Sequence, residues 1–144
     1  EQNFFLNAKK QKIMKTDKTD RTTNILIDGD TIEKVTDFDY LGSLIAQNGD
    51  GIKEIRRRLG MASKKLKSLK KVWKGSDDKI KQKFLRSLIF AMATYGSETW
   101  SISKEAEKKI NAFEFRCYRK ILRIPWTAKR TNVSILTHLG NISE

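Results

Sequence analysis

The sequence has few of the residues that form disulfides, metal sites and catalytic triads. Its 144 residues include one cysteine, one histidine and one proline. A lone Cys117 can form no internal disulfide, and its position in an apolar helical pattern predicts a buried thiol in a reducing compartment. His138 stands alone, and no Walker-type phosphate loop or Gly-x-Ser-x-Gly motif is present, so metallohydrolase, triad and nucleotide-hydrolase sites all lack parts.

Long apolar runs are also missing. The longest, Ser87 to Tyr95, is about half of the ~20 residues that a transmembrane helix needs, and no signal-peptide pattern opens the chain. We therefore expect an intracellular protein with no membrane partner. An apolar fraction of 38%, a charged fraction of 33% and a single proline indicate one largely helical domain rather than a fibrous or proline-rich chain.

Acidic residues are scarce in the segment where basic residues are most frequent. Residues 53–86 hold fourteen of the thirty Lys and Arg residues and only three acids, Glu54, Asp77 and Asp78. This segment supplies eleven of the thirteen excess positive charges. Such a concentrated positive charge is typical of a protein that binds a polyanion.

A basic helix carries much of this charge. Apolar residues recur every three or four positions from Ile52 to Trp73, which predicts one helix of about six turns. We predict that six residues on its opposite face contact nucleic-acid phosphates: Arg56, Arg57, Lys64, Lys67, Lys71 and Lys74. A solvated face would normally interleave glutamate with lysine. The alternative is a basic helical module that docks on an acidic protein partner.

Two further helices are predicted downstream. Ser76 is the expected N-cap of the first, with Asp77 and Asp78 in its first turn. Its expected buried stripe is Ile80, Phe84, Leu88, Ala91 and Tyr95, and Gly96 ends it. Ser103 opens the second helix, and Pro125 stops it; its expected stripe is Ala106, Ile110, Phe113, Cys117, Ile121 and Ile124. Residues 132–139 are expected to form a fourth, short helix.

The first third of the chain reads as strands and turns. Two β-branched runs, residues 24–28 and 31–35, flank a turn at Gly29 and predict a hairpin, and the run Phe38 to Ile45 is expected to pair beside it. The pattern becomes helical after the turn at residues 48–51. Four aspartates in this region, Asp28, Asp30, Asp37 and Asp39, fit local turn hydrogen bonds better than two-metal chemistry, so no metal site is predicted.

Five segments, in order along nearly the whole chain, resemble the reverse transcriptases of non-LTR (LINE-type) retrotransposons. They are Leu6-Asn7-Ala8-Lys9-Lys10 with Ile13-Met14; Ile27-Asp28-Gly29 with Ile32-Glu33; Phe38-Asp39-Tyr40-Leu41-Gly42-Ser43; Tyr95-Gly96-Ser97-Glu98-Thr99-Trp100; and Phe113-Glu114 with Arg116 and the Arg119 to Arg130 region. The Tyr-Leu-Gly-Ser and Tyr-Gly-Ser-Glu-Thr-Trp strings are the most specific.

The resemblance implies three parts. Residues 1–47 correspond to the end of the polymerase palm, with a primer-grip-like segment at Phe38, Tyr40, Leu41 and Gly42. Residues 48–125 correspond to the helical thumb, which clasps the template-primer duplex in this family, and residues 126–144 to the start of a connector. The implied partners are an RNA–DNA hybrid or duplex and, in a longer chain, the upstream palm and fingers domains.

The resemblance also bears on the enzyme question. The family's paired catalytic aspartates follow a Tyr/Phe-x-Asp-Asp pattern and hold magnesium, and that pattern does not occur here. We therefore expect no catalytic residues, no metal and no cofactor in this fragment, whereas its parent would be a magnesium-dependent RNA-directed DNA polymerase. The expected location is the nucleus and cytoplasm of a eukaryotic host. The expected fold is α+β and mostly α, a small β-hairpin region followed by a basic antiparallel three-helix bundle.

Overall fold

The structure, a computed structural model, describes residues 11–15, 25–27 and 29–143, with side chains to residue 140. The predictions made for residues 6–10 and for Asp28 lie outside the described residues. The chain forms two compact units, Glu1–Glu54 and Ile55–Glu144. Short strands occupy the first and helices the second, so the predicted α+β class with a majority of helix is confirmed. The assignment of the three parts to palm, thumb and connector stays a prediction.

The described part of the first unit contains three pairs of short strands. The strands are β1 (Lys12–Ile13), β2 (Leu26–Ile27), β3 (Asp30–Thr31), β4 (Glu33–Lys34), β5 (Asp37–Tyr40) and β6 (Ser43–Ala46). The antiparallel pair β2–β3 is the predicted hairpin, and Gly29 in its turn has a φ of 85°. Strand β4 pairs in parallel with β1, so the predicted run 31–35 is split between two sheets.

The prediction that residues 38–45 pair beside this hairpin is wrong. Strands β5 and β6 pair with each other, with Tyr40 opposite Ser43 and Phe38 opposite Ile45. The two residues between them, Leu41 and Gly42, have φ angles of 48° and 78°. Positive φ at both central residues is the requirement of a type I′ turn, whose twist suits a two-residue hairpin. The local turn therefore closes this segment on itself.

The second unit is helical. Its first helix, α1 (Ile52–Ser68), begins three residues before the boundary between the units. The other elements are α2 (Lys70–Gly75), α3 (Asp78–Phe84), a π-helical segment (Leu85–Phe90), α4 (Ala91–Ala93), α5 (Lys104–Ile121) and α6 (Asn132–Ser143), with 3₁₀ turns at Ser97–Thr99 and Trp126–Ala128. The predicted single helix over 52–73 is interrupted at Leu69, whose ψ is 28°. Just before the break, the Ser68 hydroxyl donates to the Lys65 carbonyl oxygen at 2.8 Å, a local bond that competes with regular helix.

One hydrophobic core joins these helices. Its buried members are Ala62, Leu66, Trp73, Leu85, Ile89, Ala93, Phe113, Cys117, Ile121, Ile135 and Leu139. Ile135 and Leu139 belong to α6, which is the short helix predicted over residues 132–139. This helix therefore contributes to the same core as the three longer predicted helices. Trp73 is 3% exposed, and its indole Nε1 donates to the Leu66 carbonyl oxygen at 2.7 Å across the α1–α2 break.

The buried face predicted for the second helix is wrong. Ile80, Phe84 and Tyr95 are exposed, whereas Leu85 and Ile89 are buried. Residues 88–93 are all apolar, so the pattern there does not select one face of the helix. The packing against α6 selects it: Gln82 is buried and its Nε2 donates to the Leu139 carbonyl oxygen at 3.3 Å. The helix also begins at Asp78 with Asp77 as N-cap, one residue after the predicted cap.

Helix α5 follows its prediction closely. The Ser103 hydroxyl caps it by accepting a hydrogen bond from the Ala106 amide at 3.2 Å, and Glu105 and Glu107 lie in its first turn. Phe113, Cys117 and Ile121 are buried as expected. Burial raises the pKa of the Cys117 thiol from its ordinary value of 9.0 to about 12, which keeps it protonated and unreactive.

Arg123 closes helix α5 in a conformation that usually belongs to glycine. Its φ is 53°, and the amides of Arg123 and Ile124 donate to the carbonyl oxygens of Lys120 and Arg119, at 3.4 and 2.9 Å. This is the Schellman pattern of a helix end. The Arg123 guanidinium donates to the carbonyl oxygens of Trp73, at 3.2 and 3.3 Å, and of Lys74. These bonds attach the end of α5 to the end of α2.

We expect Arg123→Gly to be more stable than Arg123→Ala. Both variants lose the guanidinium bonds to the α2 carbonyls, at a cost of about 1.5 kcal/mol. A residue with a Cβ atom is destabilised by roughly 1 kcal/mol in the left-handed backbone conformation. Of the two variants, only the glycine variant avoids this cost. Urea unfolding followed by circular dichroism measures the difference. The control position is Lys120, which is exposed and lies within α5. There the alanine variant should be more stable than the glycine variant by about 1 kcal/mol. The same order of stability at both positions would contradict the cap assignment.

Candidate functional site

The six predicted phosphate-contacting residues lie on the successive helices α1 and α2, and we call them the basic face: Arg56, Arg57, Lys64, Lys67, Lys71 and Lys74. Five of them are exposed, and Arg57 is half-buried. At 3.6 residues per turn, the four members on α1 lie within about 100° of one another around the helix axis. Ile55, Ala62 and Leu66 occupy the opposite side and are buried. The amphipathic pattern therefore directs the cationic side chains to solvent.

Arg56, a member of the basic face, pairs with an acidic residue of α5. Its Nη2 lies 2.9 Å from Oε1 of Glu105 at the start of α5, and Lys109 approaches the same carboxylate oxygen at 3.3 Å. The hydrogen bond from Arg56, followed by that from Lys109, lowers the pKa of Glu105 below its ordinary value of 4.5. Part of the charge of Arg56 is thus balanced within the protein.

Four lysines of the basic face have no such balance. No carboxylate of the described residues lies within 4 Å of the ammonium groups of Lys64, Lys67, Lys71 or Lys74, and all four are exposed. They follow one another at intervals of three or four residues, a spacing at which like charges repel. Lys64 and Lys67 lie on α1, and Lys71 and Lys74 lie on α2, after the break at Leu69. We call these four residues the lysine row.

Other basic residues of the same segment are engaged inside the protein. Arg58 is buried, and its guanidinium carbon lies 4.3 Å from the centre of the Tyr95 ring. Lys81 is also buried, and its ammonium group lies 2.6 Å from the Asp78 carboxylate. A count of charges along the sequence cannot separate these residues from the free ones, because the separation depends on which helix face packs inward.

The end of the basic face continues into a second cationic region that the charge count missed. Residues 115–143 include six Lys and Arg residues and no Asp or Glu. Through Arg123 this region contacts the Lys74 carbonyl oxygen, so it adjoins the end of the lysine row. Lys70, which is not among the six predicted contacts, is exposed at the start of α2. The absence of Asp and Glu from residues 115–143 is the sequence signal that could have identified the region.

The primer-grip-like residues lie on the β5–β6 hairpin. Tyr40, Leu41 and Gly42 are exposed at its tip, with Leu41 exposed to 78%, and Phe38 is half-buried. The Phe38 and Tyr40 rings stack with centres 6.3 Å apart and planes 27° apart. The hairpin thus presents an apolar tip on an ordered turn. Its role at a primer end stays a prediction.

Two of the carboxylates in the described part of the chain pair with lysines of the protein. The Asp37 carboxylate accepts two hydrogen bonds of 2.9 Å from Lys53, and the Asp78 carboxylate pairs with Lys81. Across residues 11–15, 25–27 and 29–143, no three His, Cys, Asp or Glu side chains converge as a metal ion would require. His138 is exposed on α6. None of the described helices is both long and apolar enough to cross a membrane.

A cleft of about 220 Å³ opens between α3, the π-helical segment, α5 and α6. Gln82, Arg86, Tyr118 and Leu136 are among its lining residues. The Tyr118 hydroxyl donates to the Glu114 carboxylate at 2.7 Å, and burial, followed by this bond, raises the pKa of Tyr118. The polar groups of Gln82 and Tyr118 are therefore committed to partners within the protein.

Comparisons of the chain with known protein families, curated proteins and solved structures give no match.

Proposed function

We propose that this chain is a nucleic-acid-binding fragment of a non-LTR retrotransposon reverse transcriptase, which clasps the template-primer duplex through its basic face. The observation that carries the proposal is the lysine row: four exposed lysines on the successive helices α1 and α2, with no carboxylate of the described residues within 4 Å of their ammonium groups. A phosphate backbone supplies the missing counter-charge, and lysine contacts to phosphates hold a duplex regardless of its sequence.

The order of the sequence motifs supports the more specific part of the proposal. The Phe38 to Ser43 and Tyr95 to Trp100 strings, which most closely resemble the family, flank the basic helix. A polymerase thumb needs affinity for any template-primer pair, and backbone contacts provide it. The fragment itself is proposed to bind without catalysis, because its sequence lacks the Asp-Asp pattern that holds the family's catalytic magnesium.

A salt series on the purified chain tests the proposal. We expect binding to an RNA–DNA hybrid and to duplex DNA with a steep fall of log K against log salt, about −0.9 for each phosphate neutralised on B-DNA. Four lysine contacts would therefore give a slope of roughly −3 to −4. Fluorescence anisotropy of a labelled 16-base-pair duplex measures both the affinity and the slope.

Two results would overturn the proposal. One is weak binding to every nucleic acid with no dependence on salt, from a chain that circular dichroism shows to be folded. The other comes from a competition experiment in which an acidic peptide and an unlabelled duplex each displace the labelled duplex. The proposal fails if the peptide displaces it at a lower concentration of negative charge than the unlabelled duplex does. That second result would favour docking on an acidic protein partner.

A further inference from the structure

Trp126 is a large aromatic side chain in an unusual position for a tryptophan. It is 87% exposed, whereas Trp73 is 3% exposed and Trp100 is half-buried. Exposing an indole to water forfeits a large hydrophobic stabilisation, so soluble proteins usually bury it or use it in binding. Trp126 begins the 3₁₀ turn Trp126–Ala128, directly after Pro125.

The loop that carries Trp126 is held in place on both sides. On one side, the Arg123 guanidinium donates to the Trp73 and Lys74 carbonyl oxygens at the end of α2. On the other, Nη2 of Arg119 donates to the Arg130 carbonyl oxygen at 3.0 Å and to the Asn132 side-chain oxygen at 3.1 Å. The indole is thus presented by an anchored loop, which lowers the entropy cost of using it to bind a ligand.

Basic residues lie close to Trp126 in the sequence, and one of them, Arg123, also attaches its loop to α2. Lys129 and Arg130 follow it, both are exposed, and neither has a carboxylate of the described residues within 4 Å. Trp126 is three residues from Arg123, so their Cα atoms are at most about 11 Å apart. Arg123 in turn contacts Lys74, the last member of the lysine row. The loop that carries the indole is therefore attached, through Arg123, to the end of the surface proposed to hold a phosphate backbone.

We propose that Trp126 is a stacking platform for an unpaired nucleobase, at the point where a single-stranded overhang leaves the duplex held by the basic face. This inference rests on the proposed function, since the lysine row supplies the duplex contact. An aromatic face among cations is the arrangement by which proteins bind single strands: the cations neutralise phosphates, and the ring stacks on a base of any identity. The absence of acids from residues 115–143 favours this ligand over a protein with a basic or mixed surface.

The test compares three labelled ligands on the full chain at one salt concentration: a blunt duplex, the same duplex with a three-nucleotide overhang, and that duplex with a three-residue abasic overhang of equal charge. We expect the overhang to bind about 5- to 100-fold more tightly than the abasic one, the range for one stacked base. Trp126→Ala should lose this preference while its affinity for the blunt duplex stays unchanged. Trp126→Phe should keep most of it, and Trp126→Leu should lose it.

The outcomes separate the two proposals. If the parent binds blunt duplex with a steep salt slope but does not distinguish the overhang from the abasic overhang, the stacking proposal fails and the proposed function stands. If Trp126→Leu keeps the parent's preference, the contact is merely apolar and stacking is again overturned. If the folded parent binds none of the three duplexes, both proposals fail.

Discussion

Replacing the lysine row with glutamine should weaken duplex binding by at least about 100-fold at 0.1 M salt. At a slope of about −0.9, each phosphate contact contributes a change of nearly tenfold in the binding constant between 0.1 M and 1 M salt. Loss of four contacts therefore weakens binding at 0.1 M salt by at most roughly 10³- to 10⁴-fold. The variant is the quadruple Lys64→Gln, Lys67→Gln, Lys71→Gln, Lys74→Gln. Its slope of log K against log salt should fall in magnitude by about 3 to 4.

The second unit offers a matched control with the same loss of charge. Lys79, Lys83, Lys104 and Lys108 are also exposed and also lack a carboxylate of the described residues within 4 Å, but they lie on α3 and α5. Changing these four lysines to glutamine lowers the net charge equally. If affinity depends on the basic face, this control should change it several-fold at most. Equal losses in the two quadruple variants would show that binding follows net charge alone.

The lysine row variant should also be at least as stable as the parent. Like charges at three- and four-residue spacing destabilise a helix by about 0.2–0.5 kcal/mol per pair, and glutamine removes that repulsion while remaining a good helix former. Gaining stability while losing affinity would distinguish a binding surface from a folding defect. Urea unfolding of the same preparations provides the stability measurement.

Replacing Trp73 with alanine should destabilise the second unit by about 4 kcal/mol, within the range for removing a buried aromatic side chain. The indole fills the core below the α1–α2 break, and its Nε1 bond to Leu66 joins the two helices. Since small domains are stable by only about 5–15 kcal/mol, this single change removes a large part of the free energy of unfolding. Trp73→Phe keeps most of the buried area and should cost clearly less than alanine.

Trp126→Ala is the matched control for this change, because the residue type is the same and the indole is exposed. Substitutions at exposed sites away from the core usually change stability by less than about 0.5 kcal/mol. Urea unfolding followed at 222 nm compares the parent with the three variants without relying on tryptophan fluorescence. A cost below about 1 kcal/mol for Trp73→Ala would contradict its place in the core. A parent without a cooperative transition would show that the chain does not fold into a stable unit under these conditions.

The sequence by itself determined the features that depend on neighbouring residues. The periodicity of α5, the Ser103 cap and the left-handed Gly96 at the helix end were all predictable, because each is a matter of spacing within a few residues. The exposure of the lysine row followed from the amphipathic pattern of α1 in the same way. Local turn chemistry also placed the Gly29 hairpin correctly.

Only the tertiary structure decided which groups face each other. Residues 80–95 contain apolar side chains on more than one helix face, so the packing against α6, rather than the pattern, selected Leu85 and Ile89 for the core. The pairing of Arg56 with Glu105, the bonds from Arg123 to α2, and the burial of Trp73 beside the exposure of Trp126 join or separate residues distant in sequence. Such contacts depend on the free energy of packing whole helices, which no short stretch of sequence contains.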